Sequence, residues 1–329
     1  MNYQFSVILP VRNGGTYVKE CVNSVLAQTY PNFNLIVLDN NSTDGTKEWI
    51  ASLKSEKIII YPSNNDLTIE DNWARAVEVP KNEFMTLIGH DDILLLDYLE
   101  TMNCLINENP NASLYQTHFK YIDASGGVVR DCQPMVKIQS VTDFINCQFL
   151  RTLDSTGTGY LFRSKDFEVL GGMPISYPNL IFADYELWIK LCMISCKVTS
   201  PDFCFSYRLH NSVSRHTNGE DYQQAFKKYL KLLISLRENS DIKKAIDENG
   251  IIFLTYFCQS LSHRILKTPV TIRKITVNQF VKECIELSRD FIPQHLFKPY
   301  YKIQILAAIL LDNKFGRVLY RLFKKIKLL

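Results

Sequence analysis

Short apolar runs and amphipathic stretches alternate through the first ninety residues. Residues 5–9 form an apolar run stopped by Pro10, and residues 16–28 place Val18, Cys21, Val22, Val25 and Leu26 on one helical face. A second run at 35–38 gives way to the polar cluster DNNSTDGT at 39–46, which offers N-caps to a helix over 47–53. Residues 57–61 predict a third strand and 84–88 a fourth, ending at Gly89, where the backbone can turn sharply. Strands and helices alternating on a pitch of about 25 residues predict βαβ units and a mostly parallel sheet. Loops starting at Pro10, Asp39 and Gly89 would then converge on one edge, in the crevice where open α/β sheets bind ligands.

Beyond residue 111 the pattern loosens. It predicts a hairpin at 123–127, helices over 141–150 and 183–195, a glycine-flexed strand entry at 157–163 and a last strand over 203–209. From 220 onward nearly everything reads as helix, in segments near 220–238, 242–266, 276–290 and 300–328. The polar stretch RHTNG at 215–219 ends in glycine, as a connection between domains should. It divides the chain into an α/β domain over 1–217 and a helical appendage over 218–329.

Composition narrows the class without naming it. Hydrophobic residues at 46% and aromatics at 12% are globular values, with no repeat or low-complexity tract. The cysteines form no CxxC pair, which argues against zinc, and the chain enters its first strand too early for a secretion signal. Both features suit a reducing cytoplasm. The net charge of +3 hides an asymmetry: residues 296–329 carry eight Lys/Arg against one Asp, leaving the remainder at −4. A mildly acidic body disfavours nucleic acid as the main partner.

The chemistry concentrates where the fourth strand stops. Asp91 and Asp92 at a strand's carboxyl end are two hard oxygen ligands suited to Mg²⁺ or Mn²⁺ with a phosphate completing the shell. Taken alone they read equally well as N-caps of a helix over 93–107. Asp39 and Asp44 are likewise ordinary turn residues out of context, and Asp184 is favoured by the dipole at a helix start.

Five segments change that balance. VILPVRN at 7–13, DNNSTDGT at 39–46, Asp91-Asp92, DYELW at 184–188 and YRLH at 207–210 follow one another in the order and spacing of glycosyltransferase family 2, which residues 4–214 resemble. The resemblance implies a GT-A fold, Rossmann-like, with a mostly parallel sheet flanked by helices, and inverting transfer from a nucleoside-diphosphate sugar. Carried over residue by residue, it implies that Asp39 reads the base in a pocket lined by Pro10, Val11, Arg12, Asn13 and Asn41. It also implies that Asn72 and Arg75 lie beside the diphosphate and Asp91 beside the ribose. Asp92 and His210 would hold Mg²⁺ or Mn²⁺, Asp184 would be the general base, and Trp188 would face the acceptor. UDP-sugar is the default donor, and a glycan or lipid-linked glycan of a bacterial surface polysaccharide, O-antigen or capsule, the expected acceptor. The chain departs from the family in two places, with Gly89 where an acid is common and Ala183 where a Glu precedes the base. Those departures favour the competing reading, a sugar-nucleotide-binding protein without turnover. A sugar nucleotidyltransferase would need a longer, more basic phosphate loop than residues 12–15 offer.

The tail has its own pattern. Leu319, Leu322, Phe323 and Ile326 fall on one helical face, Arg317, Arg321 and Lys324 on another, and residues 314–329 contain six Lys/Arg and no acid. Such a helix is expected to lie on an anionic membrane surface, placing the protein peripherally on the inner face of the cell membrane.

Overall fold

The structure, a computed structural model, describes residues 1–209 and 217–326. These form two compact units. The first comprises Met1–Phe144, Thr152–Ser176 and the described residues of 183–212; the second comprises Ile145–Arg151, Tyr177–Phe182 and the described residues of 213–329.

The first unit is built on one mixed sheet. In chain order its strands are β1 (Phe5–Val11), β2 (Phe33–Asp39), β3 (Ile58–Pro62), β4 (Phe84–Leu87), β5 (Ile93–Leu94), β6 (Leu114–Ile122), β7 (Val128–Asp131), β8 (Ile138–Gln139), β9 (Tyr160–Arg163) and β10 (Lys197–Arg208). They lie in the order β3-β2-β1-β4-β9-β6-β10-β5, with β7 beside β6 and β8 beside β10. β1 pairs in parallel with both β2 and β4, and β2 with β3, so the ends of these strands reach one edge together, as their alternation with helices predicts. Val18, Cys21, Val22 and Val25 of the helix Tyr17–Leu26 are fully buried against β1 and β2 residues such as Val7, Leu9 and Val37. Inserting β9 antiparallel between β4 and β6 is what turns the parallel half into a mixed sheet.

Two expected elements differ. No helix begins at residue 93: Ile93 and Leu94 pair with Ser206 and Phe205 of β10, and the helix starts at Tyr98. Asp91 and Asp92 are therefore not helix caps. The strand expected over 203–209 is the second half of the longer β10, whose register against β6 shifts twice between Ser200 and Phe205. Pro201 and Asp202 in that interruption make its first half read as loop.

The second unit is helical around an aromatic core. Phe182 stacks on Tyr229 at 5.1 Å between ring centres, Phe226 stacks on Phe257 at 5.1 Å, and Phe253 packs against both Phe149 and Phe257 at 4.7 Å. Its helices are Gly219–Ser235, Ser240–Lys267, Val277–Phe291, Ile303–Leu310 and Lys314–Ile326. Gly219 is needed for close packing, since a Cβ there would come within 2.8 Å of the Ile265 backbone. The helix expected over 300–328 is broken between Leu310 and Lys314. There the buried Asp312 carboxylate accepts from Arg273 at 2.6 Å, Arg317 at 2.9 Å and the Val277 N–H at 2.8 Å. Among the described residues no helix is long and apolar enough to cross a membrane.

Candidate active site

The first two loops are fastened to each other. After β1, the Asn13 N–H donates to Ser42 Oγ (3.0 Å) while its own Oδ1 accepts from the Thr43 N–H (2.8 Å). Gly14 and Gly15 donate to Thr46 Oγ1 and Asp44 Oδ2, both at 3.0 Å. Arg12 and Asn41 meet on opposite oxygens of the exposed Asp66, at 2.5 and 2.9 Å. Pro10 and Val11 are buried in β1, so of the expected pocket residues only Arg12, Asn13 and Asn41 present polar groups at this edge.

Asp39 ends β2 fully buried. One of its oxygens accepts weakly from the Ser42 N–H at 3.3 Å, and Oδ1 has no hydrogen-bond partner, an unspent buried acceptor at the carboxyl edge. Asn72 and Arg75, expected beside the diphosphate, bond to backbone carbonyls and to each other. Asn72 donates to the Leu38 carbonyl, and Arg75 donates to the carbonyls of Asp39 (3.1 Å) and Tyr61 (2.5 Å) and to Asn72 Oδ1 (2.9 Å). They brace the ends of β2 and β3.

The acidic pair divides its labour. Asp92 is 2% exposed, with Oδ1 accepting from the Arg208 N–H (3.0 Å) and Oδ2 from Thr158 Oγ1 (2.6 Å). Burial, reinforced by the neighbouring Asp91 charge, pushes its pKa well up. In this structure both oxygens of Asp92 serve as buried ties between the turn, β10 and Thr158. Asp91 is half-buried. Its Oδ1 lies where Gly89 leaves room: a Cβ on residue 89 would stand 2.6 Å from it. The missing acid at position 89 is thus linked to where Asp91 places its own.

Arg208, quoted in the YRLH segment but given no role there, proves central. Its buried guanidinium donates to the Asp91 carbonyl (2.8 Å), to the Asp123 and Ala124 carbonyls of the β6–β7 turn (3.2 and 3.3 Å) and to Glu20 (2.5 Å), and it packs over Tyr17. Thr158 was equally hidden, its only sequence signal being the flanking glycines. Gly159, at φ +78°, passes so close to Phe205 that a Cβ would collide with the ring at 2.6 Å.

Asp184 opens the helix Ala183–Ile194, with Gly157 beside its side chain. Burial lifts its pKa from 3.8 to about 6, partly offset by its own and Tyr185's backbone N–H. Trp188, one turn on, is fully buried: it stacks on Tyr160 at 4.4 Å and donates to the Thr156 carbonyl at 3.0 Å. It therefore cannot offer an acceptor a surface; it anchors the segment that carries Thr158. Burial, reinforced by the charges of Asp92, Asp91 and Asp184, raises the pKa of Tyr207 on β10. The segment 157–158 links the acids, since Thr158 bonds Asp92 and Gly157 runs beside Asp184. His210 lies outside the described residues.

The metal question turns on donor chemistry. Among the described residues no three His, Cys, Asp or Glu side chains form a metal-holding group. A cation bound through one or two carboxylates, with waters and substrate phosphates filling the shell, needs no such cage, and Asp91 fits that mode.

This sheet order, with an acidic crevice at its carboxyl edge, is that of a GT-A glycosyltransferase. The family profile "Glycosyl transferase family 2" matches residues 6–171, half of the chain, and the chain belongs to that family. It is 26% identical over 265 residues to a glycosyltransferase of Rickettsia conorii, covering 78% of this chain and 42% of that one. It spans about two fifths of the length of three such rickettsial relatives. It is 24% identical over 213 residues to WfgD of Escherichia coli, a UDP-Glc:alpha-D-GlcNAc-diphosphoundecaprenol beta-1,3-glucosyltransferase, covering 64% of this chain and 79% of that one. Residues 1–349 of Staphylococcus aureus TarS superpose with a TM-score of 0.66 at 15% identity, covering 97% and 91% of the two chains. The same protein bound to UDP-GlcNAc superposes at 0.55 with 13% identity, covering 93% and 78%.

Proposed function

We propose that the chain transfers a hexosyl or N-acetylhexosaminyl group, with inversion, from a UDP-sugar to a glycan or lipid-linked glycan in bacterial surface polysaccharide synthesis. The observation that carries this reading is the placement of three carboxyls on one unit: Asp91 and Asp92 both border Gly89, and the segment whose Thr158 bonds Asp92 passes Asp184 at Gly157, on the same unit as the unspent acceptor of Asp39. The donor named for WfgD and the ligand named for TarS support a uridine nucleotide, and WfgD's named acceptor supports a lipid-linked one.

In this reading the base's N–H groups seek the Asp39 carboxylate, and Arg12, Asn13 and Asn41 line the nucleotide's approach. Asp91 holds Mg²⁺ or Mn²⁺, and His210 remains a candidate second ligand. A bound divalent cation neutralises charge on the departing diphosphate as a Lewis acid. Asp184 accepts the acceptor hydroxyl's proton as its oxygen bonds to the anomeric carbon. The carbon–oxygen bond to the diphosphate breaks on the opposite face, and the nucleoside diphosphate leaves. A carboxylate with a pKa near 6 is ionised at neutral pH yet basic enough to share a proton in the transition state, a contribution of about 10²- to 10⁴-fold. Asp92, Thr158 and Arg208 keep the turn that presents Asp91.

The second unit fits a place on the inner membrane face. Phe315, Val318, Leu319 and Leu322 of its last helix are all about half or more exposed, on a segment rich in Lys and Arg. The direct test is a panel of UDP-, GDP- and dTDP-sugars, scored for acceptor-dependent release of nucleoside diphosphate with and without chelator. Release from a UDP-sugar that chelator abolishes is expected. Donor binding with no turnover on any glycan acceptor would favour the binding-protein alternative.

A further inference from the structure

The helical unit carries a groove that the transferase reading does not use. It measures about 540 Å³, within the range of small-molecule sites, and is lined by the long helix Ser240–Lys267 and the segment 296–302. Its apolar wall is made by Ile251, Ile252, Leu296 and Phe297, and its rim carries Lys298 and Lys302 with no acid among the lining residues. No carboxylate pairs with either lysine among the described ion pairs; Lys298 instead lies over the Tyr301 ring. A third cation borders the site, since the Arg151 guanidinium packs 3.9 Å from the ring centre of Tyr256, another lining residue.

Exposure gives the groove a direction. Leu296 is 75% exposed and Tyr301 81%, and the helix that begins directly after Lys302 shows solvent Ile303, Leu306 and Leu310. An apolar trough with cations at its lip, continuing into a row of open apolar side chains, is complementary to an amphiphile with an anionic head and a hydrocarbon chain. We propose that this groove binds a single phosphorylated membrane lipid, its phosphate on Lys298 and Lys302 and its chain along Ile251, Ile252 and Phe297. The proposal extends the membrane reading and rests on it in placing this unit at a lipid surface, but it assigns a discrete site and does not involve the tail helix.

The test uses the full chain and monomeric short-chain phosphatidic acid, with short-chain phosphatidylcholine and inorganic phosphate as comparison ligands in calorimetry. Saturable one-to-one binding of the phosphatidic acid is expected, at least about tenfold tighter than either comparison. Lys298→Glu/Lys302→Glu should weaken it at least about tenfold, and so should Ile252→Asp, whose site is already half exposed. Leu319→Asp/Leu322→Asp should leave it unchanged while weakening vesicle binding, which separates the groove from the tail. Circular dichroism and melting temperature establish that each variant is folded. Equal affinity of a folded Lys298→Glu/Lys302→Glu variant, equal affinity for inorganic phosphate, or no binding by the wild type overturns the groove as a lipid site.

Discussion

Asp184 is the residue whose chemistry is most exposed to measurement, because burial makes it both reactive and costly. Its folded pKa of about 6 lies above the ordinary 3.8, so the folded chain holds this proton more tightly than the unfolded one. The stability conferred by that proton is complete below about pH 4 and is lost as pH rises through about 6. Asp184→Asn should therefore melt higher than wild type near pH 7.5, by on the order of 1–3 kcal/mol, and converge with it near pH 4. The same variant should keep donor binding and lose at least about a hundredfold in kcat. In the wild type, kcat/KM should fall about tenfold per pH unit below about 6. A variant that is less stable than wild type at pH 7.5 and turns over normally would make Asp184 a helix-start residue only. The acidic pair gives a second contrast. Asn at 92 can still accept from the Arg208 N–H and donate to Thr158, so Asp92→Asn should keep fold and most activity. Asp92→Ala leaves both partners buried and unpaired, at about 1–3 kcal/mol. Asp91→Asn should melt like wild type and lose turnover together with its cation dependence. If Asp92→Asn is the inactive one, the cation belongs on Asp92 after all.

At the scale of elements, what could be read depended on which forces were local. Apolar runs marked β1, β2 and β4, which are buried along nearly their whole length, and β3, whose Ile58 and Ile60 pack partly against the core, while periodicity marked the helix behind β1. β6 was missed because Gln116, Thr117 and His118 sit inside it, buried between strands that come from later in the chain. The same holds for β5, a two-residue strand that exists only because β10 passes alongside. Site roles are less legible for a related reason: Asp92, Trp188 and Arg75 carry family signatures, but whether a signature residue faces substrate or braces the loop that does is decided by contacts about 3 Å long across distant segments. The break at Leu311 to Asn313 is the clearest case, and it yields a prediction. Asp312 is the one carboxylate paired with the buried guanidiniums of Arg273 and Arg317 among the described ion pairs, and it also accepts from the Val277 N–H, while Arg273 keeps a further bond to the Ile265 carbonyl. Asp312→Ala leaves two buried guanidinium charges without a counter-ion and should cost about 3–5 kcal/mol in chemical denaturation of the helical unit. A cost within about 0.5 kcal/mol would mean that the break is set by Asn313 and Gly316 and not by the ion cluster.

At the scale of the whole molecule, charge is segregated: residues 296–329 carry +7 and the rest −4. The structure alters how that tail can act. Arg317, expected on a solvated basic face, is 7% exposed and committed to Asp312, so it does not contribute to surface attraction. The apolar face is instead more open than a packed helix would leave it, with Phe315 at 74% and Leu322 at 54% exposure. Attraction from the remaining cations amounts to about 1 kcal/mol per Lys/Arg near an anionic surface, enough for reversible attachment once the apolar side chains insert. Both contributions are separable. Binding of the full chain to phosphatidylglycerol vesicles should weaken as salt shortens the Debye length from about 30 Å at 0.01 M to about 8 Å at 0.15 M. Leu319→Asp/Leu322→Asp should lower vesicle affinity at least about tenfold at every salt concentration, since it removes insertion and adds two like charges to the lipid's own. Turnover on a short soluble acceptor should be unchanged, because neither residue belongs to the unit that holds Asp91 and Asp184. Point substitution is the right instrument here. Deleting residues 313–329 would also take Arg317 from Asp312 and confuse lost binding with lost folding. Vesicle binding that is indifferent to salt, or equal in the folded double variant, would assign the open face to contact with another protein and remove the membrane from this account.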